Sequence, residues 1–392
     1  MTDPLQDPRF FADPYPTYAR LRDAAPVRKV PTGSEGRHSY LVTGYAEARE
    51  AFTDARLSKN TTRFFAGRPS RRDLHQAVSQ NMLATDPPQH ARLRALVTKA
   101  FTTGAVTRLR PYIAGLVDEL LGAWPEHGPV DLVASLAVPL PVTVICQMLG
   151  VPDSDRRLVR TWSSDLFAAG DPARIDAASH AIAGYMTDLV TSTRDSPGES
   201  LLDDLIAVRD GQDRLTEDEL VSLAVLLLVA GHETTTNFIG NAALALLRHP
   251  EALARLRAEP QLLGSALDEL LRFDSPVGIA TFRYSTEALT LGGTMIPAGV
   301  PVLIAPGAAN RDPSRFPDPD YLDLTRRPTG HLAFGHGIHR CLGAPLARAE
   351  AELALGALIS RFPDARLAVS TEQLNWRHTR LMRGLTSLPL TV

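Results

Sequence analysis

Thr216 to Pro250 constrains this chain more than any other stretch. Thr216-Glu217-Asp218-Glu219 reads as a capping box, in which the Thr216 hydroxyl accepts from the Glu219 N–H and the Glu219 carboxylate reaches back. The helix it opens is expected to run to His249-Pro250, about 32 residues or roughly 48 Å. Its centre, Val221 to Ala230, is apolar on nearly every face, which places it in the interior.

The rest of the chain is mostly helical in pattern. His90 to Phe101 reads as a short helix after Asp86-Pro87-Pro88, Thr107 to Trp124 as another, and Leu201 to Val208 as a third. Strand signals are short. Ser39 to Thr43 is one, and Val300 to Ala305 is another. Leu289 to Leu291 and Thr294 to Ile296 flank Gly292-Gly293 as a hairpin. Arg56 to Pro88 has weak periodicity and reads as a functional lid, with bounds of about 56–89. Turns should dominate from Pro297 to Pro328. No linker or repeat divides the chain. The expected fold class is mainly α with small β regions, in one domain over residues 1–392.

Leu132 to Val151 carries no charge and matches a membrane span in length. Pro139, Pro141, Ser135 and Gln147 interrupt it, and a helix from Pro141 to Gly150 suits a soluble core. The N-terminus shows no secretory pattern. A net charge of −3 argues against nucleic-acid binding. Two cysteines, Cys146 and Cys341, make no disulfide framework.

Phe334-Gly-His-Gly-Ile-His-Arg-Cys341-Leu-Gly343 is the most informative segment. Three glycines surround one cysteine, and Leu342 to Arg361 is helical in composition. Cys341 therefore sits at a helix N-terminus, where a thiolate is favoured. The residues alone leave three readings: a structural cysteine, a zinc site with His331, His336 and His339, or a haem-thiolate ligand.

The pattern Phe334-x-x-Gly337-x-x-x-Cys341-x-Gly343 resembles the haem-ligand loop of the cytochromes P450 (residues 334–343). The resemblance implies a single-domain P450 fold with the long helix, about 217–248, crossing the haem on its oxygen side. It implies haem b as cofactor and Cys341 as axial ligand to the iron. Phe334, Gly337 and Gly343 are implied to shape the loop around the cofactor.

Ala230-Gly231-His232-Glu233-Thr234-Thr235 lies mid-way along the long helix. Gly231 is a poor helix former. Glu233 is costly to bury alone. Thr234 can bond the carbonyl four residues back. A local break facing a ligand is expected. His232-Glu233 suggests a zinc protease, but the second histidine would fall at Thr236. In the family, the similar acid–alcohol pair delivers protons through ordered water during dioxygen activation. That role falls to Glu233 and Thr234, with Ala230 and Gly231 leaving room for dioxygen.

The resemblance also implies who holds the propionates: His90 and Arg94, four apart on a helix, Arg283 in Thr281-Phe-Arg283-Tyr, and His339. Glu269-Leu-Leu-Arg272 resembles the family's structural Glu-x-x-Arg pair. Relatives complete that network with an arginine where this chain has Tyr321. Arg326 or Arg327 is then the expected substitute.

The family resemblance spans the chain from Asp13-Pro14-Tyr15 to Leu385-Thr386 and fits the soluble bacterial branch. Of 41 basic residues only Lys29, Lys59 and Lys99 are lysines, an arginine bias of the kind found in actinobacteria. The implied enzyme is a cytoplasmic, monomeric monooxygenase of secondary metabolism. It takes electrons from a ferredoxin and its reductase, with Arg92, Lys99 and Arg340 as a candidate docking face. A bulky lipophilic substrate is expected to meet the lid, Leu227 to Ala230, Val277 to Thr281 and Leu385-Thr386. A macrolide or other polyketide, a cyclic peptide or a steroid-like skeleton would fit. The rivals are a haem-binding sensor or carrier without turnover and, more distantly, a zinc hydrolase.

Overall fold

Thr216 and Glu219 form the reciprocal pair that their spacing predicts. The Thr216 N–H donates to Glu219 Oε2 (3.1 Å) and the Glu219 N–H donates to Thr216 Oγ1 (3.2 Å). The helix they open runs from Glu217 to Arg248, 32 residues. It is long and apolar enough to cross a membrane, yet 72% of its most apolar window is buried inside the protein. The computed structural model describes Leu5 and residues 7–32, 37–67, 72–167, 171–212 and 215–392.

Backbone contacts divide the chain into two compact units. One gathers the described residues up to Ser58, Arg110–Ala137 and Thr234–Val392. The other comprises Lys59–Leu109 and Val138–Glu233. The long helix passes from one to the other between Glu233 and Thr234.

The first unit holds the small sheets. Val27–Pro31 pairs antiparallel with His38–Val42, and Val302–Ile304 joins in parallel with Tyr40 opposite Val302. Pro389–Thr391 lies between Pro129–Asp131 and Arg366–Leu367. The Gly292-Gly293 hairpin forms as expected. Both glycines have positive φ (52° and 74°), the conformation that a two-residue turn matched to strand twist requires. Its core packs Val27, Tyr40, Val42, Phe52, Leu291, Ile296 and Ile304 around Tyr45 and Phe316.

The second unit is helical. Gln89–Val97, Pro139–Leu149, Arg156–Leu166, Pro172–Asp195 and Leu201–Gln212 accompany the first half of the long helix. Pro139–Leu149 starts on a proline and ends on Gly150 at φ 72°, a left-handed cap. It is a short buried helix, as its interruptions imply. The expected lid is not structureless. Thr61–Phe65, Gln76–Ser79 and a 3₁₀ turn at Met82–Ala84 lie within it, while residues 68–71 fall outside the described set. Its middle is anchored to the Pro172–Asp195 helix. The His75 N–H donates to Ser179 Oγ at 2.7 Å and Arg72 pairs with Asp176 at 2.8 Å.

Candidate active site

The cysteine loop is shaped by two glycines. Gly335 and Gly337 have φ of 68° and 73°, the left-handed region that favours glycine. A Cβ on Gly337 would stand 3.0 Å from Phe52 O, so the loop seats edge-on against the end of the Tyr45–Thr53 helix. Gly337–His339 makes a 3₁₀ turn, and the Cys341 N–H donates to Phe334 O at 2.8 Å. Gly343 then caps the Ala344–Arg361 helix. Cys341 is thus presented at a positive helix end with its thiol exposed. Cys146 is the opposite case. Burial pushes its thiol up to about 12 and leaves it neutral and inert.

A buried polar network holds this loop from behind. Arg272 and Glu269, both fully buried, form a two-pronged ion pair at 2.7 and 2.8 Å. Arg272 also donates to the carbonyls of Asn310 (3.0 Å), Pro319 (2.8 Å) and Tyr321 (3.3 Å). The second cation is Arg326. Its Nε donates to Glu269 Oε1 at 3.2 Å, and its other nitrogens reach Pro317 O (2.6 Å) and Asp318 O (3.2 Å). Tyr321 contributes only its carbonyl, and its side chain points to solvent at 62% exposure. Asn310 carries the hold forward by accepting from the Leu332 N–H at 2.6 Å. Asp268 binds His331 (3.2 Å) and Arg348 (2.6 Å), and the Arg348 guanidinium lies over the Phe334 ring at 4.6 Å. His331 is therefore a structural residue. Among the described residues, no three metal-ligating side chains stand together, which removes the zinc reading.

Cations collect in each unit. In the first, Arg283 is 3% exposed, donates to Thr281 O and lies over Phe52 at 5.0 Å. His339 stands in the cysteine loop. In the second, His90 and Lys59 are buried, at 1% and 2% exposure, and Arg94 is half-buried. Burial lowers the His90 pKa, and Arg94 and Lys59 lower it further. Of these, the buried cations are Arg283 in the first unit and Lys59 in the second, and each suits an anionic partner. Lys59 was not foreseen. It lies in a stretch without periodicity, so nothing in the sequence marks it as buried. Within the first unit, one accessible sulfur at a helix N-terminus and the buried Arg283 are donors that fit haem.

The long helix has one opening. From Leu220 to Leu246 it is buried except at Val229, Ala230, Gly231 and Thr234. Ala230 and Thr234, one turn apart, share a face. The backbone stays α-helical throughout, and the expected break is not seen. Gly231 explains why a poor helix former is kept. A Cβ there would lie 2.8 Å from Ile145 Cγ1, so the glycine serves close packing against the Pro139–Leu149 helix. His232, not a distorted backbone, satisfies Leu228 O, through Nδ1 at 2.8 Å. Glu233 is 4% exposed, with His232 Nε2 at 3.8 Å from its carboxylate.

Comparison with known proteins decides what carries this arrangement. The family profile for cytochrome P450 matches residues 173–373, more than half of the chain. The chain is 47% identical to the cytochrome P450 monooxygenase PikC of Streptomyces venezuelae, over 97% of its length and 91% of PikC. This chain belongs to the cytochromes P450. It is also 45% identical to the vitamin D(3) 25-hydroxylase of Pseudonocardia autotrophica, over 98% of this chain and 94% of that one. The tirandamycin C-bound P450 monooxygenase TamI matches with a TM-score of 0.92 and 46% identity, covering 98% of each chain. As a P450 the protein is an oxidoreductase whose cofactor is haem b and whose electrons come from an external partner. Its mainly helical fold with small sheets is that of the family.

Proposed function

We propose that this P450 tailors a bulky lipophilic natural product of the macrolide or polyketide kind by hydroxylation or epoxidation. The observation that carries the proposal is the Ala230–Thr234 opening in an otherwise buried helix. A small residue and a hydroxyl one turn apart leave room for a bulky apolar molecule beside a single polar group. The relatives support the class. One is bound to tirandamycin C, and another, 41% identical to this chain, is a mycinamicin IV hydroxylase/epoxidase.

In this reading Cys341 would hold the haem iron through its sulfur, presented by Phe334, Gly337 and Gly343. By the family resemblance His90, Arg94, Arg283 and His339 would hold the propionates. Haem b bound there supplies dioxygen activation and oxygen-atom transfer. Glu233 and Thr234 hold and pass protons, Thr234 from a half-buried position and Glu233 from a buried carboxylate. Glu269, Arg272 and Arg326 keep the cysteine loop in place. The 56–89 segment closes over substrate and excludes water. We further propose that the chain works as one catalytic domain, as a cytoplasmic monomer. Its electron donor is a ferredoxin with its reductase, docking near Lys99 and Arg340. Arg92 is tied to Glu219 on the long helix and is less available for that face.

The test is a titration of the ferric holoenzyme with a panel of macrolides, linear polyketides, steroids and cyclic peptides. A saturable shift of the Soret band toward high spin with macrolides or polyketides is the expected outcome. Shifts with steroids or cyclic peptides alone would overturn the substrate class. The Cys341→Ala variant is expected to lose the thiolate-type spectrum.

A further inference from the structure

Beyond Thr234 the long helix carries two buried asparagines. Asn237 and Asn241 are 2% and 1% exposed. With Thr234 they stand at i, i+3 and i+7, one stripe of the helix. Both face one segment of the first unit, the ribbon in which Trp376 bridges Leu385 and the Arg377 N–H donates to Gly384 O.

The seat is close. Asn241 Nδ2 donates to Arg383 O at 3.1 Å. A Cβ on Gly384 would lie 2.0 Å from Asn237 Oδ1, so the ribbon backbone meets that amide with nothing between. The Asn237 amide makes no hydrogen bond to a protein group among the described residues. It acts as a spacer of fixed size. The ribbon is tied on its other side too. Arg383 pairs with Asp274 at 2.5 Å, and the Arg383 N–H donates to Pro276 O at 2.8 Å. Met382 bridges Val277, the Gly278 N–H donates to Leu381 O at 3.0 Å, and a Cβ on Gly278 would lie 2.6 Å from Arg380 O. The ribbon and Val277–Thr281 therefore form one stitched wall.

We infer that Asn237 and Asn241 are positioning residues that set the height of this wall relative to Thr234, and so tune which substrates fit. The inference rests on the reading that Val277–Thr281 and Leu385-Thr386 line the substrate pocket. Helical rise fixes the offset, about 4.5 Å from Thr234 to Asn237 and about 10 Å to Asn241. The wall cannot slide along the helix unless one of these contacts gives.

The experiment compares two azoles on the ferric holoenzyme by Soret titration. Imidazole is small and reports the iron alone, whereas 4-phenylimidazole also reports the pocket. Gly384→Ala collides with Asn237 and is expected to change the ratio of the two dissociation constants by at least about tenfold. Adding Asn237→Ala removes the contacts with Oδ1 and Cγ and leaves only Asn237 Cβ at 2.9 Å, so it is expected to recover most of the change and bring the ratio within about threefold of wild type. Asn241→Ala releases Arg383 O without any clash and serves if Gly384→Ala takes up no haem; it should shift the ratio in the same test. Val277→Trp is the control for the pocket reading. If Val277→Trp moves the ratio while Gly384→Ala and Asn241→Ala do not, the clamp is wrong and the pocket reading stands. If Val277→Trp leaves the ratio unchanged, the pocket reading falls and the clamp with it.

Discussion

Arg326 shows how a network survives the loss of its usual member. The family resemblance implies an arginine where this chain has Tyr321, and Glu269 is met instead by a second guanidinium from five residues further on. That guanidinium does more than neutralise. It donates to Asp318 O, and Asp318 has φ 46°, the one positive φ outside glycine among the described residues. A strained turn and a buried carboxylate are thus secured together. Arg326→Ala should cost about 2–3 kcal/mol, because Glu269 has no exposure to water. Tyr321→Ala should stay within about 0.5 kcal/mol, since only the carbonyl is used. Urea unfolding of both variants checks the pair; equal costs would refute the assignment. Sequence reading named Arg326 beside Arg327, and charge alone could not choose between them. Lys59 lay beyond its reach, since burial of a lysine in a loop follows from tertiary packing.

Among the elements, the long helix was legible because cap, apolar run and terminal proline all agreed on its bounds. Thr216→Ala should cost about 1 kcal/mol by removing the cap. Glu219, also held by Arg92 and Gln89, would keep its place. A thermal shift well under that expected for such a loss would mean the Arg92 tie, not the cap, starts the helix. The 24-residue helix Pro172–Asp195 was not read at all. Its buried face starts with the small Ala178, Ser179 and Ala183, but Ile182, Met186, Leu189 and Val190 recur at helical spacing and were a readable signal. A second clue was at its start, where Asp171 accepts from the Arg174 N–H ahead of Pro172. The break expected at Gly231 was misplaced for a different reason. A glycine in a helix can mean flexibility or close packing, and only the neighbour, Ile145, decides.

For the whole molecule, one buried acid couples stability to pH. Glu350 on the Ala344–Arg361 helix is 1% exposed, and burial holds its carboxyl well above the usual range. The folded protein therefore keeps a proton that the unfolded chain releases above about pH 4.5. Its contribution is intact below that pH and declines as pH rises toward the folded value. Glu350→Gln cannot ionise, so its stability relative to wild type should grow from pH 5 to pH 8. Melting temperatures at the two pH values check this, and a pH-independent difference would refute it. The family was legible across the entire chain because its motifs are local. The two-unit division was not, since it depends on which distant segments touch.

The two sulfurs of this protein lead unequal lives. Cys146 is sealed in and stays a thiol, whereas Cys341 is held out at a helix end that favours the anion. An accessible thiolate is the first target of oxidants, passing through sulfenic to sulfinic acid and then beyond repair. With Cys341 as the proposed iron ligand, the bond would draw on one sulfur lone pair and lower the reactivity of the thiolate toward oxidants. An enzyme that handles dioxygen thus keeps its vulnerable atom covered only while its prosthetic group is in place. Losing that group even briefly exposes the chain to damage that resupply cannot reverse.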